Sequence, residues 1–222
     1  MKRYFLIFMA LVLSAGLACA ASGAFAAGMA SPTMLAGTCA GCHGTGGNSD
    51  GPAIPGIAGV TKNYFVAAML SYKYGDDEDA IEKAVAASGG ALDPDEFEAL
   101  PRGKGTIMSR IAKGYEDAEI IAMADQFVNS PFKRNAQPTK QTLVNKGASL
   151  HEDNCEKCHE DGGRTSVDDV GILAGQWMPY LSNTLADFKD GTRKMPKKMA
   201  SKMKDLNTAD LEALVHYYGS QQ

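Results

Sequence analysis

A chain of 222 residues with a formal net charge of −4 and 45% hydrophobic residues can bury a core and shows no basic bias towards nucleic acid. The start is not part of that core. Lys2 and Arg3 precede an apolar run from Tyr4 to Leu17, followed by small residues and Ala-x-Ala sites at 18–20 and 24–26. This pattern predicts a secretory signal peptide over residues 1–26, cut after Ala26, and so an exported, periplasmic protein. The run is short for a membrane anchor, and Leu17 stands one place off a lipobox, so Cys19 is expected to leave with the signal. No other segment reads as a membrane span. Removal leaves about 196 residues near net charge −6, a length that suits two small domains.

The first motif follows at once. Residues 39–47 read CAGCHGTGG, and residues 155–163 read CEKCHEDGG, 116 positions later. Two disulfides or zinc half-sites would use the cysteines, but neither needs a histidine directly after the second one each time. The stretch after His43 is a Gly/Pro loop rather than the helix of a redox Cys-x-x-Cys. Covalent haem attachment does need that order: two thiols for the porphyrin vinyl groups, then an imidazole for the iron. The cofactor-binding residues are therefore Cys39, Cys42, Cys155 and Cys158, the first iron ligands are His43 and His159, and the cofactors are two haem c.

The offset persists along the chain. Gly46-Gly47 matches Gly162-Gly163, Gly59 matches Gly175, Tyr64 matches Tyr180, and Lys73 and Gly75 match Lys189 and Gly191. One duplicated module is implied: a helix through the motif, a loop, a helix from about Tyr64 or Tyr180, and a last helix. DAEIIAMADQFV and TADLEALVHYYG carry apolar residues at helical spacing and read as core. The predicted fold is all-α, two tandem domains each wrapped around one haem. Domain 1 spans 27–130, a polar linker 131–141, and domain 2 142–222.

After Gly75 the register breaks. Thirty-three positions separate Gly75 from Met108, against four from Gly191 to Met195, so about 29 residues are inserted near 76–104. Nine acids stand against Lys83 between Asp76 and Glu98, which predicts a solvated lobe, with a partner-binding role as the other reading. Ile81, Ala84 and Val85 suggest a helical turn or two there, and Asp93-Pro94-Asp95-Glu96 suggests a helix start.

Met108 and Met195 each follow a Gly-Thr pair at the same point of the repeat. A thioether there would be the sixth iron ligand and would favour ferrous haem. Met199 and Met203 are rivals at the second site. His151 and His216 read as partly exposed polar residues. With histidine and methionine on both irons, no metal position is open, and no nucleotide loop or activated nucleophile is evident. The chain therefore reads as an electron carrier, not a catalyst by itself.

CAGCHGTGGNS, TIMSRIAKGY, CEKCHEDGG, ILAGQWMPYL and KKMASK closely resemble the dihaem cytochrome subunit of flavocytochrome c sulfide dehydrogenase. The resemblance implies tandem class I cytochrome c domains with Met108 and Met195 as axial ligands. It implies a periplasmic heterodimer with a sulfide-oxidising flavoprotein that alone carries FAD, and delivery to a soluble electron acceptor. The insertion departs from that family. Gly171 stands where the first module has Pro55, whose carbonyl in this superfamily orients the proximal histidine. Two other readings stand beside this one: a free dihaem carrier like cytochrome c4, and a catalytic dihaem enzyme, for which no cysteine remains as a spare ligand. Seven bases between Lys189 and Lys204 against Asp190 predict that the second haem delivers electrons onward while the first module faces the flavoprotein.

Overall fold

The computed structural model describes residues 28–92 and 106–222. The expected signal peptide, its expected cleavage site and the expected helix start at Asp93 lie outside the described residues. Among the described residues every regular element is helical, and no helix is long and apolar enough to cross a membrane.

In the first half, α1 (Pro32–Gly37) leads into α2 (Ala40–His43), which carries the first motif. A loop follows to α3 (Lys62–Tyr74). Thr61 starts α3 by accepting from Tyr64 N at 3.1 Å, two residues before the expected start. Then come α4 (Glu78–Ala86), α5 (Ile107–Ala112) and α6 (Asp117–Val128). In the second half α7 (Gln141–Asn154) enters the second motif, and α8 (Met178–Lys189), α9 (Lys197–Met203) and α10 (Thr208–Ser220) follow. Reciprocal capping boxes start both last helices, Glu116 with Glu119 and Asn207 with Asp210.

Each last helix crosses the helix before its motif. The crossing of α7 and α10 is close: a β-carbon on Gly147 would lie 2.2 Å from the Ala213 carbonyl oxygen. Gly147→Ala would force the pair apart. Leu181, Met203, Leu206, Leu211, Leu214, Val215 and Tyr218 form the second core beneath that crossing. Ile120, Met123, Ala124 and Phe127 hold the matching place in α6, all at most 3% exposed. The repeated lysines explain themselves here. Lys73 donates to the Tyr115 carbonyl (2.8 Å) and pairs with Asp117 (2.7 Å), while Lys189 donates to the carbonyls of Met203 and Lys204. Each ties the end of its helix to the backbone that enters the last one.

Three expectations need correction. The insertion is not only a solvated lobe: Ile81, Ala84 and Val85 on α4 are at most 4% exposed, so the apolar face of α4 joins the first core while the acids from Asp76 to Glu82 are exposed. His151 and His216 are buried rather than partly exposed. The crossing of α7 and α10 covers His151, which hydrogen-bonds the Tyr218 hydroxyl (2.9 Å) and the Glu156 carboxylate. His216 Nδ1 accepts from Lys140 N.

Residues 32–222 form one compact unit, and its halves meet through the loops that follow the motifs. Gly56 N donates to Gln176 Oε1 (3.0 Å) and Gln176 Nε2 donates to Gly56 O (2.8 Å). Trp177 Nε1 donates to Ser49 O, and Tyr180 N donates to Pro52 O. Residues 131–141 are threaded between the two: Asn48 bonds Pro131 O and Lys133 N, and Asn135 N donates to Gly175 O. Gln176→Ala would strip two buried backbone groups of their partners, a cost of about 2–4 kcal/mol. Urea unfolding should show that loss as a lowered midpoint, and Gln176→Glu should not rescue it, because its second oxygen would face the Gly56 carbonyl.

Candidate haem sites

The two motifs fold alike because one helical turn spaces their donors. In the first, Cys42 N and His43 N both donate to Cys39 O, at 3.2 and 2.8 Å. In the second, Cys158 N and His159 N donate to Cys155 O, at 3.1 and 2.9 Å. Each pair of thiols thus sits one turn apart with an imidazole at its end. All four cysteines are free thiols, none committed to a disulfide. Burial pushes the Cys39 and Cys155 thiols above their ordinary pKa, so they are protonated at neutral pH. Among the described residues no three His, Cys, Asp or Glu side chains converge as a metal cage.

The histidines are oriented for a metal. His43 is 8% exposed, and its Nδ1 donates to the Pro55 carbonyl at 2.8 Å. That bond fixes the tautomer and leaves the Nε2 lone pair available to a metal. Burial lowers its pKa, against the opposing pull of the Pro55 carbonyl. His159 is held differently. Burial, with His151 nearby, pushes its pKa down to about 4, opposed by the Gly171 carbonyl. Its Nδ1 is buried, yet the Gly171 oxygen is not placed for a full hydrogen bond. Such an atom calls for an acceptor that is near but not closed upon it. Both imidazoles are neutral at pH 7, the form that binds iron. The chemistry of the donor set fits a covalently attached haem at each motif.

A depressed pKa carries a direct expectation for acid. A histidine that stays neutral until about pH 4 cannot be lost to protons between pH 7 and 5. The ferric spectrum of the haem-loaded protein should stay low-spin over that span, and a high-spin band at pH 5 would contradict the arrangement.

The methionines are placed less alike than the sequence suggests. Met108 lies in the first turn of α5, not in a loop, because the Thr106 hydroxyl caps that helix and accepts from Met108 N at 3.1 Å. Met195 lies in the loop between α8 and α9 and is half-buried against the second core. Met203 ends α9 and is 4% exposed, packed within the second core. Met199 packs on the same core as Met195.

The comparisons with known proteins agree with this construction. The sequence profile of the family described as cytochrome c oxidase, cbb3-type, subunit III matches residues 142–217. Cytochrome c-552 of Acidithiobacillus ferridurans is 28% identical, over 99% of this chain and 88% of its own length. The cytochrome subunit of sulfide dehydrogenase of Chlorobaculum tepidum is 31% identical, over 46% of this chain and 68% of its own. Among solved structures, reduced cytochrome c4 from Pseudomonas stutzeri superposes with a TM-score of 0.64 at 21% identity, covering 87% of this chain and all of that one. The fold is therefore that of tandem class I cytochrome c domains. The chain belongs to the dihaem c-type cytochromes, with c4-type proteins among its homologues. Proteins of this kind carry electrons.

Proposed function

We propose that this chain is a periplasmic dihaem electron carrier of c4 type, with Cys39, Cys42, His43 and Met108 holding one haem c and Cys155, Cys158, His159 and Met195 the other. The observation that carries this is the double proximal site on one compact unit, in a chain matched end to end by a c-type cytochrome. When bound, each haem supplies a reversible one-electron couple. Around it the residues act as follows. The thiols anchor its edge. Pro55 holds the His43 ring. Burial keeps both imidazoles neutral and excludes water. The methionine sulfurs, soft and polarisable, favour the reduced state. The domains 27–130 and 142–222, joined by 131–141, are the two electron-holding units.

A second reading has its own support. The 31% match to a sulfide dehydrogenase cytochrome subunit, and the motifs shared with that family, favour service as the electron-transfer subunit of a sulfide-oxidising flavoprotein. FAD would then sit on the partner, and the cytochrome by itself would not oxidise sulfide at an enzymatic rate. Purification from the native host separates the two. A copurifying polypeptide with a flavin spectrum, and sulfide-dependent haem reduction by the complex, would install the second reading. A cytochrome that elutes alone and is reduced by sulfide only slowly supports the carrier.

A further inference from the structure

The second proximal histidine faces a loop that the first half helps to hold. Residues 166–171 carry Asp168 and Asp169 at φ 58° and 56°, the left-handed region that a β-carbon disfavours. Such residues persist only where their surroundings over-determine them. Here those surroundings come from the first half. Ser166 Oγ donates to Gly59 O at 2.9 Å. Thr61 Oγ1 donates to the Asp169 carboxylate. The Tyr64 ring lies against Gly171: a β-carbon there would stand 2.8 Å from the hydroxyl oxygen and 3.2 Å from Cζ. Thr61 is also the cap that starts α3 and so fixes Tyr64, three residues on. One helix end in the first half thus grips the loop that presents the Gly171 carbonyl to His159.

The first half's loop is held differently: Gln176 of the second half bonds both backbone groups of Gly56, beside Pro55. Pro55 has its own φ locked by its ring, and its carbonyl meets His43 Nδ1 at 2.8 Å. At 171 a proline ring would collide with Tyr64, and glycine is what fits. We propose that Thr61 and Tyr64, both in the first half, are positioning residues for the proximal ligand of the second haem: they hold loop 166–171 and so set how closely the Gly171 carbonyl approaches His159 Nδ1, an approach short of a full hydrogen bond in this structure. The state of the second iron is thereby set in part by the first module. This rests on His159 as an iron ligand.

The test uses the full-length, haem-loaded protein. Both midpoint potentials are resolved by redox titration, and the axial histidine ring signals are followed in the ferric protein by paramagnetic NMR. A carbonyl drawn close to Nδ1 raises the basicity of the ligand and stabilises ferric iron. Loosening it should therefore raise the potential of the second haem. Tyr64→Ala and Thr61→Val should each do so while leaving the first haem unchanged, and the His159 Nδ1 proton should exchange roughly tenfold faster. Tyr64→Phe keeps the ring and should stay near the parent. Asp169→Ala removes the same bond as Thr61→Val without disturbing the cap of α3, so a folding defect in the threonine variant does not decide the matter. Gly171→Ala should act like Tyr64→Ala, and the double variant should shift less than the sum, because removing the ring frees the space the methyl needs. A shift confined to the first haem, or none at either, overturns the proposal. A parent protein with no histidine signature at the second iron would instead remove the ligand assignment on which the proposal stands.

Discussion

Met195→His should lower the midpoint potential of the second haem by a sizeable part of the roughly 0.8 V range that axial ligands command, and leave the first nearly unchanged. A thioether is soft and favours ferrous iron; an imidazole is a stronger donor and favours ferric. Met195 is the residue to change because it is half-buried in the loop before α9, against the second core, while Met203 is committed to that core. Met108→His should do the same to the first haem alone. There the capped first turn of α5 fixes where the side chain begins. The parent ferric protein should show a weak sulfur-to-iron band near the red end, and each variant should lose about half of it. If Met195→His kept the whole band, Met199 would be the ligand, since it packs on the same core.

The motif order was legible because covalent attachment constrains sequence directly: thiol, thiol and imidazole must share one turn, and they do. The repeat exposed the rest of the module through residues with backbone duties, such as Lys73 and Lys189, whose match is plain in sequence while their carbonyl partners are not. Helix starts lay two residues before the expected tyrosines because the Thr61 hydroxyl caps α3, while α8 has Pro179 in its first turn and Gln137 accepting from Met178 N, local effects that the apolar pattern does not carry. His151 was misread because its helix is mostly polar. What buries it is the close crossing permitted by Gly147, and its partners are Tyr218 and Glu156, 67 and 5 residues away. In the first half the matching positions are Leu35, Ala40 and Phe127, all apolar, so the repeat pointed to packing and hid a polar network. The insertion misled for a related reason. Nine acids dominate its composition, but three apolar residues on one face of α4 decide where it sits. The grip of Thr61 and Tyr64 on loop 166–171 was invisible, since nothing in one module's sequence says which surface the other will meet.

Charge reversal at Lys197 and Lys198 should slow delivery of electrons to an acidic acceptor by about tenfold or more at low ionic strength. The loop with Met195 and the helix after it carry four exposed lysines, Lys194, Lys197, Lys198 and Lys202. Not all of the basic charge there is free to steer. Lys189 is spent on the carbonyls of Met203 and Lys204, Arg193 stacks over Phe188 at 4.4 Å, and Lys202 donates to Asp153 O. Lys194 pairs with Asp76 of the insertion at 2.9 Å, both about half exposed, so part of the insertion's acid is turned onto this basic stretch. An exposed pair of that kind contributes little to stability, but reversing Lys194 would set two like charges together and confuse the result. Lys197 and Lys198 are exposed in the first turn of α9 beside Met195 and are the better pair to reverse. Electron-transfer encounters are brief and small, so they depend on complementary fields for their rate. In the parent protein delivery should slow as salt rises, because charges are screened beyond roughly 10 Å at 0.1 M. The double variant should lose most of that salt dependence. Stopped-flow mixing of the reduced cytochrome with an acidic acceptor measures both. If Lys197→Glu with Lys198→Glu slows reduction of the cytochrome by its donor instead, electrons enter through the second haem and the order of the two modules in the path is reversed.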